Sequence, residues 1–397
     1  MSTSVLVTGG SIAGPAAAWA LRRAGFSPVL LERAPAPRTA GQNIDIRDAG
    51  RDVIDAMGLR EAVRARRTGE VGTRFLDRTG RVYASFPAQE GRDGPTAEIE
   101  ILRGDLSELL TSLTDGEVPR RYGDHVTAVQ QDADGVEVTL AGGGRERYDL
   151  MVVAEGRRSR TRRLVFGDAT GGRDLGEYIA YGTIDRSAAD DDWWRWLTAT
   201  GSRMVSMRPD NQGTIRANLA FFTRPLGLEN LGFEAQMAVL RAAFADVGWE
   251  TPRVLDGFAA RPEEFYFERF EQVRLPSYSR GRVVLLGDAA WASGPSGMGT
   301  SLALVGAWVL GAELARSYRS DGPATAFAAY ERLMRPYAEK VQNFPPGVPR
   351  IMFPRSRPGL RVLEAGHRFA ALPPVRNLVE RAFLSKSGAM PALPQWP

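Results

Sequence analysis

The first thirty residues alternate apolar runs with small-residue segments in the order strand, turn, helix, strand. Val5-Leu6-Val7 is a short unbroken apolar run closed by glycine, which suits a strand buried on both faces. Residues 16–23 are alanine-rich and predict a helix, with Gly25 as its stop. Pro28-Val29-Leu30-Leu31 predicts the next strand, ending at Glu32. Residues 45–66 place Val53, Ile54 and Met57 at helical spacing, and residues 102–113 predict a further helix. Residues 126–129 and 136–140 alternate as a hairpin around Asp134-Gly135, and 150–154 read as another buried strand. From about 170 to 275 the texture turns aromatic and alternating, as in "RMVSMRP" and "TIRANLAFF", with one helix expected at 233–246. Residues 281–290, "GRVVLLGDAA", restore the buried-strand pattern and lead through a glycine-rich loop into an apolar helix at 301–319. A Pro- and Arg-rich stretch at 345–361 precedes a final helix expected at 359–385.

Composition narrows this picture. A chain of 397 residues favours two interleaved domains over one core. No apolar run approaches the ~20 residues that span a bilayer, so no membrane partner is expected. The opening MSTSVLV lacks a basic signal-peptide region, which makes a cytoplasmic location the expectation. The absence of cysteine excludes disulfides, thiolate metal sites and a cysteinyl-linked cofactor. With His125 and His367 as the only histidines, no metal site is expected, and His125 reads as structural. The net charge is +4, and the 51 basic residues include only Lys340 and Lys386 as lysines, scattered rather than striped. Nucleic acid is therefore not an expected partner.

Three segments carry chemistry. "VLVTGGSIAG" (residues 5–14) approximates the phosphate-binding G-x-G-x-x-G turn, with Ser11 where the middle glycine belongs. Glu32 follows Gly9 by 23 positions, the range for a carboxylate that accepts ribose hydroxyls. A TGG turn also opens short-chain dehydrogenases, but their T-G-x-x-x-G-x-G pattern fails at Ala13 and Pro15. Neither lysine has a tyrosine four residues before it, so their Tyr–Lys pair is missing too. The other segments are "VVAEGRRS" (152–159) and "LLGDAAWASGPSGMGTS" (285–301).

In this order and spacing, the set resembles the signatures of the class A flavin-dependent monooxygenases, which include p-hydroxybenzoate hydroxylase-like enzymes and tetracycline-modifying hydroxylases. The resemblance implies an α/β fold: a Rossmann-like FAD-binding domain of the glutathione reductase type, interleaved with a mostly β substrate domain and followed by a C-terminal helix. The first domain would take residues 1–70, 100–168 and 276–345, the second 71–99 and 169–275, and the helical segment 346–397. Non-covalent FAD would meet Gly9, Ser11, Ile12, Ala13 and Gly14 at its pyrophosphate, and Glu32 and Arg33 at its adenosine ribose. Val126 would lie at the adenine, and Glu155 near the pyrophosphate and nicotinamide path. Gln42, Asn43, Ile44 and Arg103 would lie beside the ring, and Asp288 would accept ribityl hydroxyls. Pro295, Gly297, Met298, Gly299 and Thr300 would close over the ring from a helix N-terminus, where exposed amides stabilise negative charge.

The same resemblance implies NADPH or NADH and O2 as co-substrates. A flavin C4a-hydroperoxide would hydroxylate an aromatic or polyketide-like small molecule, with no catalytic side chain required. Asn43, Arg47, Tyr181, Met207, Phe222, Trp291 and Pro295 are the expected substrate contacts, in a monomer or homodimer. Baeyer–Villiger oxygen insertion and a non-catalytic FAD-binding role are the alternatives. The chain departs from the family at Trp291, where histidine is common, and at Glu155, where aspartate is usual; its flavin loop is also one residue shorter. Trp291 either lines the pocket or packs against the sheet. Arg157, Arg158, Arg160, Arg162 and Arg163 read as a solvated basic face rather than a nicotinamide site.

Overall fold

A computed structural model describes residues 2–37, 41–88, 97–167, 171–343, 351–376 and 392–397. One sheet has six strands in the order Ser279–Arg280, Val283–Leu285, Leu150–Val153, Ser4–Thr8, Ser27–Glu32, Arg120–Tyr122. All neighbours are parallel except the first pair. Helices Ala13–Arg23 and Gly299–Gln342 share its core, as do strands Val126–Gln131, Val136–Leu140 and Arg145–Tyr148 of an antiparallel meander. Cover on both faces explains why Val5, Leu6 and Val7 form an unbroken apolar run rather than an alternating one.

The second sheet has seven strands: Tyr266–Arg274, Gly171–Asp185, Thr214–Phe222, Arg203–Pro209, Trp194–Ala199, Gly72–Leu76 and Val82–Pro87. Helices Phe233–Ala243 and Thr251–Ala260 cover one face, packing Met237, Leu240, Val254 and Phe258 onto Tyr178, Val205, Met207 and Leu219. Because side chains alternate across a strand, Ile179, Met204 and Ala220 fall on the other face, with Tyr181, Trp196, Phe270 and Phe353 beside them.

Some expectations needed correction. The helix expected at 45–66 is a strand, Asn43–Ile46, followed by two short helices, Ala49–Ala56 and Arg60–Ala65. Asn43–Ile46 pairs antiparallel with Ile99–Leu102, and Gly58 at φ +74° separates the helices. Helix Thr251–Ala260 has no counterpart among the expected elements. The apolar helix runs on past residue 319, broken at Gly322 where φ and ψ leave the helical region. The final helix is Arg357–Ala370; the rest of its expected span includes 377–385, outside the described residues.

Arg357–Ala370 docks on the outer strands through His367, whose ring lies 4.0 Å from that of Phe75 and whose Nδ1 is 3.1 Å from the Tyr83 hydroxyl. Burial holds His367 down at about 4, below its ordinary 6.5. The unfolded chain therefore binds this proton more readily, and stability present above pH 6.5 is lost as pH falls towards 4. Amide exchange within 357–370 should accelerate across that interval, and His367→Phe should flatten the response. An unaltered response in the variant would place the acid-sensitive group elsewhere.

Candidate functional site

Ser4–Thr8, Leu150–Val153 and Val283–Leu285 are parallel neighbours, so the turns at residues 9–14, 154–156 and 287–288 emerge side by side. This is the carboxyl edge at which doubly wound sheets place ligands. The Gly9 amide donates to the Leu31 carbonyl and the Ala154 amide to that of Thr8, each at 2.8 Å. Gly14 brings the helix against the turn so closely that a Cβ there would stand 1.8 Å from the Gly9 carbonyl oxygen. No side chain caps helix Ala13–Arg23, so its first amides remain available to an anion. Ser11 is exposed and its hydroxyl does not form the cap. At the end of the next strand Glu32 accepts from the Gly10 amide (2.6 Å) and the Ala34 amide (2.7 Å), while Arg33 is exposed.

The third turn closes on the first. Gly287 adopts φ +62°, and a Cβ there would lie 2.8 Å from that of Ala13. Asp288 Oδ1 is 3.7 Å from the position of a Cβ on Gly299, at the start of the uncapped helix Gly299–Gln342. Asp288 is reached by solvent, yet crowding by protein raises its carboxyl, with Glu268 adding to the rise and Arg157 and Arg103 opposing it. Pro295 and Gly297 are exposed in the intervening loop, whose Ser296 hydroxyl accepts from the Met298 amide at 3.2 Å. The Arg103 amide donates to the Gln42 carbonyl (3.1 Å), and its guanidinium makes no hydrogen bond or ion pair among the described residues. Gly297, Asp45 and Arg47 meet here: Arg47 binds Asp45 at 3.0 Å, and its amide donates to Ser301 Oγ at 2.8 Å.

Several candidate residues are engaged elsewhere. Asn43 is buried, with its amide nitrogen on Glu70 Oε1 (2.6 Å) and the Pro209 carbonyl (3.1 Å). Glu155 accepts from Ser159 Oγ (2.8 Å), the Thr161 amide (3.1 Å) and Thr161 Oγ1 (2.5 Å), so its carboxylate fastens its own turn. Trp291 is 1% exposed and packs edge-on against Tyr278 at 5.1 Å, which makes it core rather than pocket lining. Met207 points into the helix-covered core, away from Tyr181, because odd and even residues of its strand face opposite ways. Val126 opens the first strand of the meander, and its side chain is buried in the core that the meander shares with the six-stranded sheet. Tyr181 and Phe222 remain on the face towards the turns, Phe222 with its ring 4.5 Å from that of Phe353.

Two arginines within the expected basic face prove structural. Arg157 binds Glu268 (2.8 Å) and Glu271 (3.1 Å) across the two sheets, and Glu268 also accepts from the Tyr266 hydroxyl (2.8 Å). Arg162 is buried with no carboxylate partner among the described residues, donating to the Ala289 carbonyl (3.1 Å) and that of Arg157 (2.7 Å). Burial, then Arg163, lowers it to about 10. It ties the second turn to the third. Nothing in a run of five arginines distinguishes these two, whereas Arg158, Arg160 and Arg163 are exposed.

The residues fit FAD: an uncapped helix start for the pyrophosphate, a strand-end carboxylate for ribose, and a second uncapped helix start beside Asp288. Among the described residues no group of His, Asp or Glu is placed to hold a metal, and no helix is long and apolar enough to cross a membrane.

The family described as "FAD binding domain" matches residues 2–344. The flavin-dependent monooxygenase eupH of Phoma sp. is 34% identical over 399 residues, covering 93% of this chain and 92% of its own. A flavin-dependent monooxygenase of Legionella longbeachae is also 34% identical, over 86% of this chain and 87% of its own. The crystal structure of tetracycline destructase Tet(55) superposes with a TM-score of 0.83 at 30% identity, covering 100% of this chain and 99% of that one. With the three turns gathered at one sheet edge and this similarity along the chain, the protein belongs to the class A FAD-dependent monooxygenases.

Proposed function

We propose that this chain uses NAD(P)H and O2 to hydroxylate a planar aromatic or polyketide-like molecule seated between the flavin loop and the seven-stranded sheet. The observation that carries this reading is the face of that sheet turned away from helices Phe233–Ala243 and Thr251–Ala260. Ile179, Met204, Ala220, Tyr181, Trp196 and Phe270 make it apolar and aromatic, and Leu175 packs against Gly294 of the flavin loop. A flat apolar ligand gains from such a wall, and the wall keeps water from the reacting atoms. The resemblance to a tetracycline destructase, at 30% identity, supports a polycyclic substrate.

Bound FAD would supply electron transfer from NAD(P)H to O2 and delivery of one oxygen atom. The chain's share is to hold and shield. The turn from Gly9 to Gly14 would seat the pyrophosphate, Glu32 the ribose, and Asp288 the ribityl hydroxyls. The N-terminus of Gly299–Gln342 would favour negative charge at the reduced ring. Arg103, whose guanidinium makes no hydrogen bond or ion pair among the described residues, would lie beside it.

Asp288→Ala should weaken FAD binding about ten- to a hundredfold, the worth of one or two hydrogen bonds to a charged group. Fluorescence titration of apoprotein checks this, and unchanged affinity would remove Asp288 from the site. The function itself is tested by following NADPH and NADH oxidation against phenols, naphthols and tetracycline, with mass analysis of products. Substrate-stimulated oxidation with a product gaining one oxygen atom supports the reading. A protein that cannot bind added FAD, or one that reduces flavin and oxygenates nothing, overturns it.

A further inference from the structure

One carboxyl group on the face turned away from the two helices is unpartnered among the described residues. Glu177 is 3% exposed and makes no hydrogen bond or ion pair among the described residues. Other buried carboxylates between the sheets are engaged: Glu268 by Arg157 and Tyr266, Glu70 and Glu100 by Arg208. The side on which Glu177 stands follows from its strand. The register with Tyr266–Arg274 shifts between Asp174 and Tyr178, but pairing with Thr214–Phe222 is regular from Glu177 on. With Tyr178 and Ala180 in the helix-covered core, Glu177, Ile179 and Tyr181 share the opposite face.

Its surroundings are those of the proposed substrate wall. Glu177 stands opposite Phe222 in the strand register, and Phe222 packs on Phe353. Two residues earlier, Leu175 touches Gly294, the residue before Pro295 of the flavin loop. Burial, and then the charge on Glu268, push the Glu177 carboxyl up to about 8. At neutral pH it is therefore an un-ionised acid with one O–H to donate. A protein gains nothing for its fold by burying such a group unpaired in apolar surroundings.

We propose that Glu177 is a substrate-recognition residue that donates its carboxyl O–H to a ring oxygen, carbonyl or phenolate, of a planar substrate. The inference rests on the reading that the face turned away from the two helices takes the substrate, and it narrows the class to oxygenated ring systems. Apolar rings without an acceptor oxygen would leave the acid unpaired and bind more weakly.

The test uses the FAD-loaded full chain and two probes, 1,4-naphthoquinone, which offers only acceptors, and naphthalene, which offers none. The chain has no cysteine for the quinone to alkylate. Dissociation constants are read from the perturbation of flavin absorbance. The wild type should prefer the quinone by about tenfold or more, the worth of a hydrogen bond in a desolvated site. Glu177→Leu should bring the two constants together, and Glu177→Gln, whose amide still donates, should keep most of the preference. Bound FAD should be the same in all three proteins. A preference unchanged in Glu177→Leu, or no preference in the wild type, overturns the assignment. Those outcomes leave the monooxygenase reading intact, since that reading fails on flavin binding or oxygenated product instead.

Discussion

Gly14→Ala should leave a protein that folds its seven-stranded sheet but no longer retains FAD, with affinity reduced at least about a hundredfold by overpacking at the turn. The new Cβ would stand 1.8 Å from the Gly9 carbonyl oxygen and 3.2 Å from Leu30 Cδ1. The Leu30 methyl need shift only a few tenths of an ångström, but the Gly9 backbone cannot yield cheaply. Gly9 is fixed by its amide bond to the Leu31 carbonyl, and a Cβ on Gly9 itself would already collide with the Ala154 carbonyl at 2.3 Å. Relief must come from lifting the helix N-terminus away from the strand ends, which carries its free amides away from the phosphates they would hold. Ser11→Gly is the control. The Ser11 side chain is exposed and caps nothing, so its loss should alter affinity little. Because a ligand that binds only the native state raises Tm, the measurement is the Tm increment produced by added FAD. Wild type and Ser11→Gly should show it, and Gly14→Ala should not. A Gly14→Ala protein that purifies yellow with full occupancy would mean that the turn does not seat the pyrophosphate.

The glycines of that turn, the strand-end acids and the unbroken apolar runs are set by local sterics and by burial on both faces. The three turns are therefore legible in the amino-acid sequence itself. Burial of Val5, Val152 and Val284 marks their strands as covered, whereas the order in which those strands pair is read from the structure. Side-chain allegiance is not legible to the same degree. Met207 and Tyr181 look equally suited to a substrate wall, and strand parity alone separates them. Asn43 matches a ring-side position, yet its amide is consumed by Glu70 and Pro209, which are distant in sequence. Trp291 has two readings that only its contacts with Tyr278 and Tyr330 decide. The boundaries of the helix expected at 45–66 fail for a related reason. Pairing of Asn43–Ile46 with Ile99–Leu102 is long-range, and it overrides the helical spacing of the residues that follow.

The ion cluster joining the seven-stranded sheet to the paired strands Asn43–Ile46 and Ile99–Leu102 leaves no trace in the sequence, and it sets the largest stability effect expected here. Arg208→Leu should destabilise the protein by about 3–5 kcal/mol, the usual cost of removing one partner from a buried ion pair. Arg208 leaves the seven-stranded sheet to bind Glu100 and Glu70 (3.1 Å), with Asp45 3.9 Å away and the Trp194 ring centroid at 3.9 Å. Glu70 also accepts from Asn43 (2.6 Å) and Thr68 (2.5 Å), and Glu100 from the Ala97 amide (2.8 Å). These neutral donors can orient the two carboxylates but cannot balance their charge. Leucine would therefore strand two buried carboxylates and lose the stacking on Trp194 as well. Arg208→Lys keeps the charge but not the planar fork that reaches both acids, so it should recover part of the loss. Adding Glu70→Gln and Glu100→Gln to Arg208→Leu should recover more, because the stranded charge is gone. Asp45 lies against Gly297, so the same substitutions should also loosen the flavin loop and speed FAD release. Thermal melting of the FAD-loaded proteins orders the four, with Arg208→Leu lowest. A Tm for Arg208→Leu equal to the wild type's would show that water reaches Glu70 and Glu100 and that the pairing contributes little.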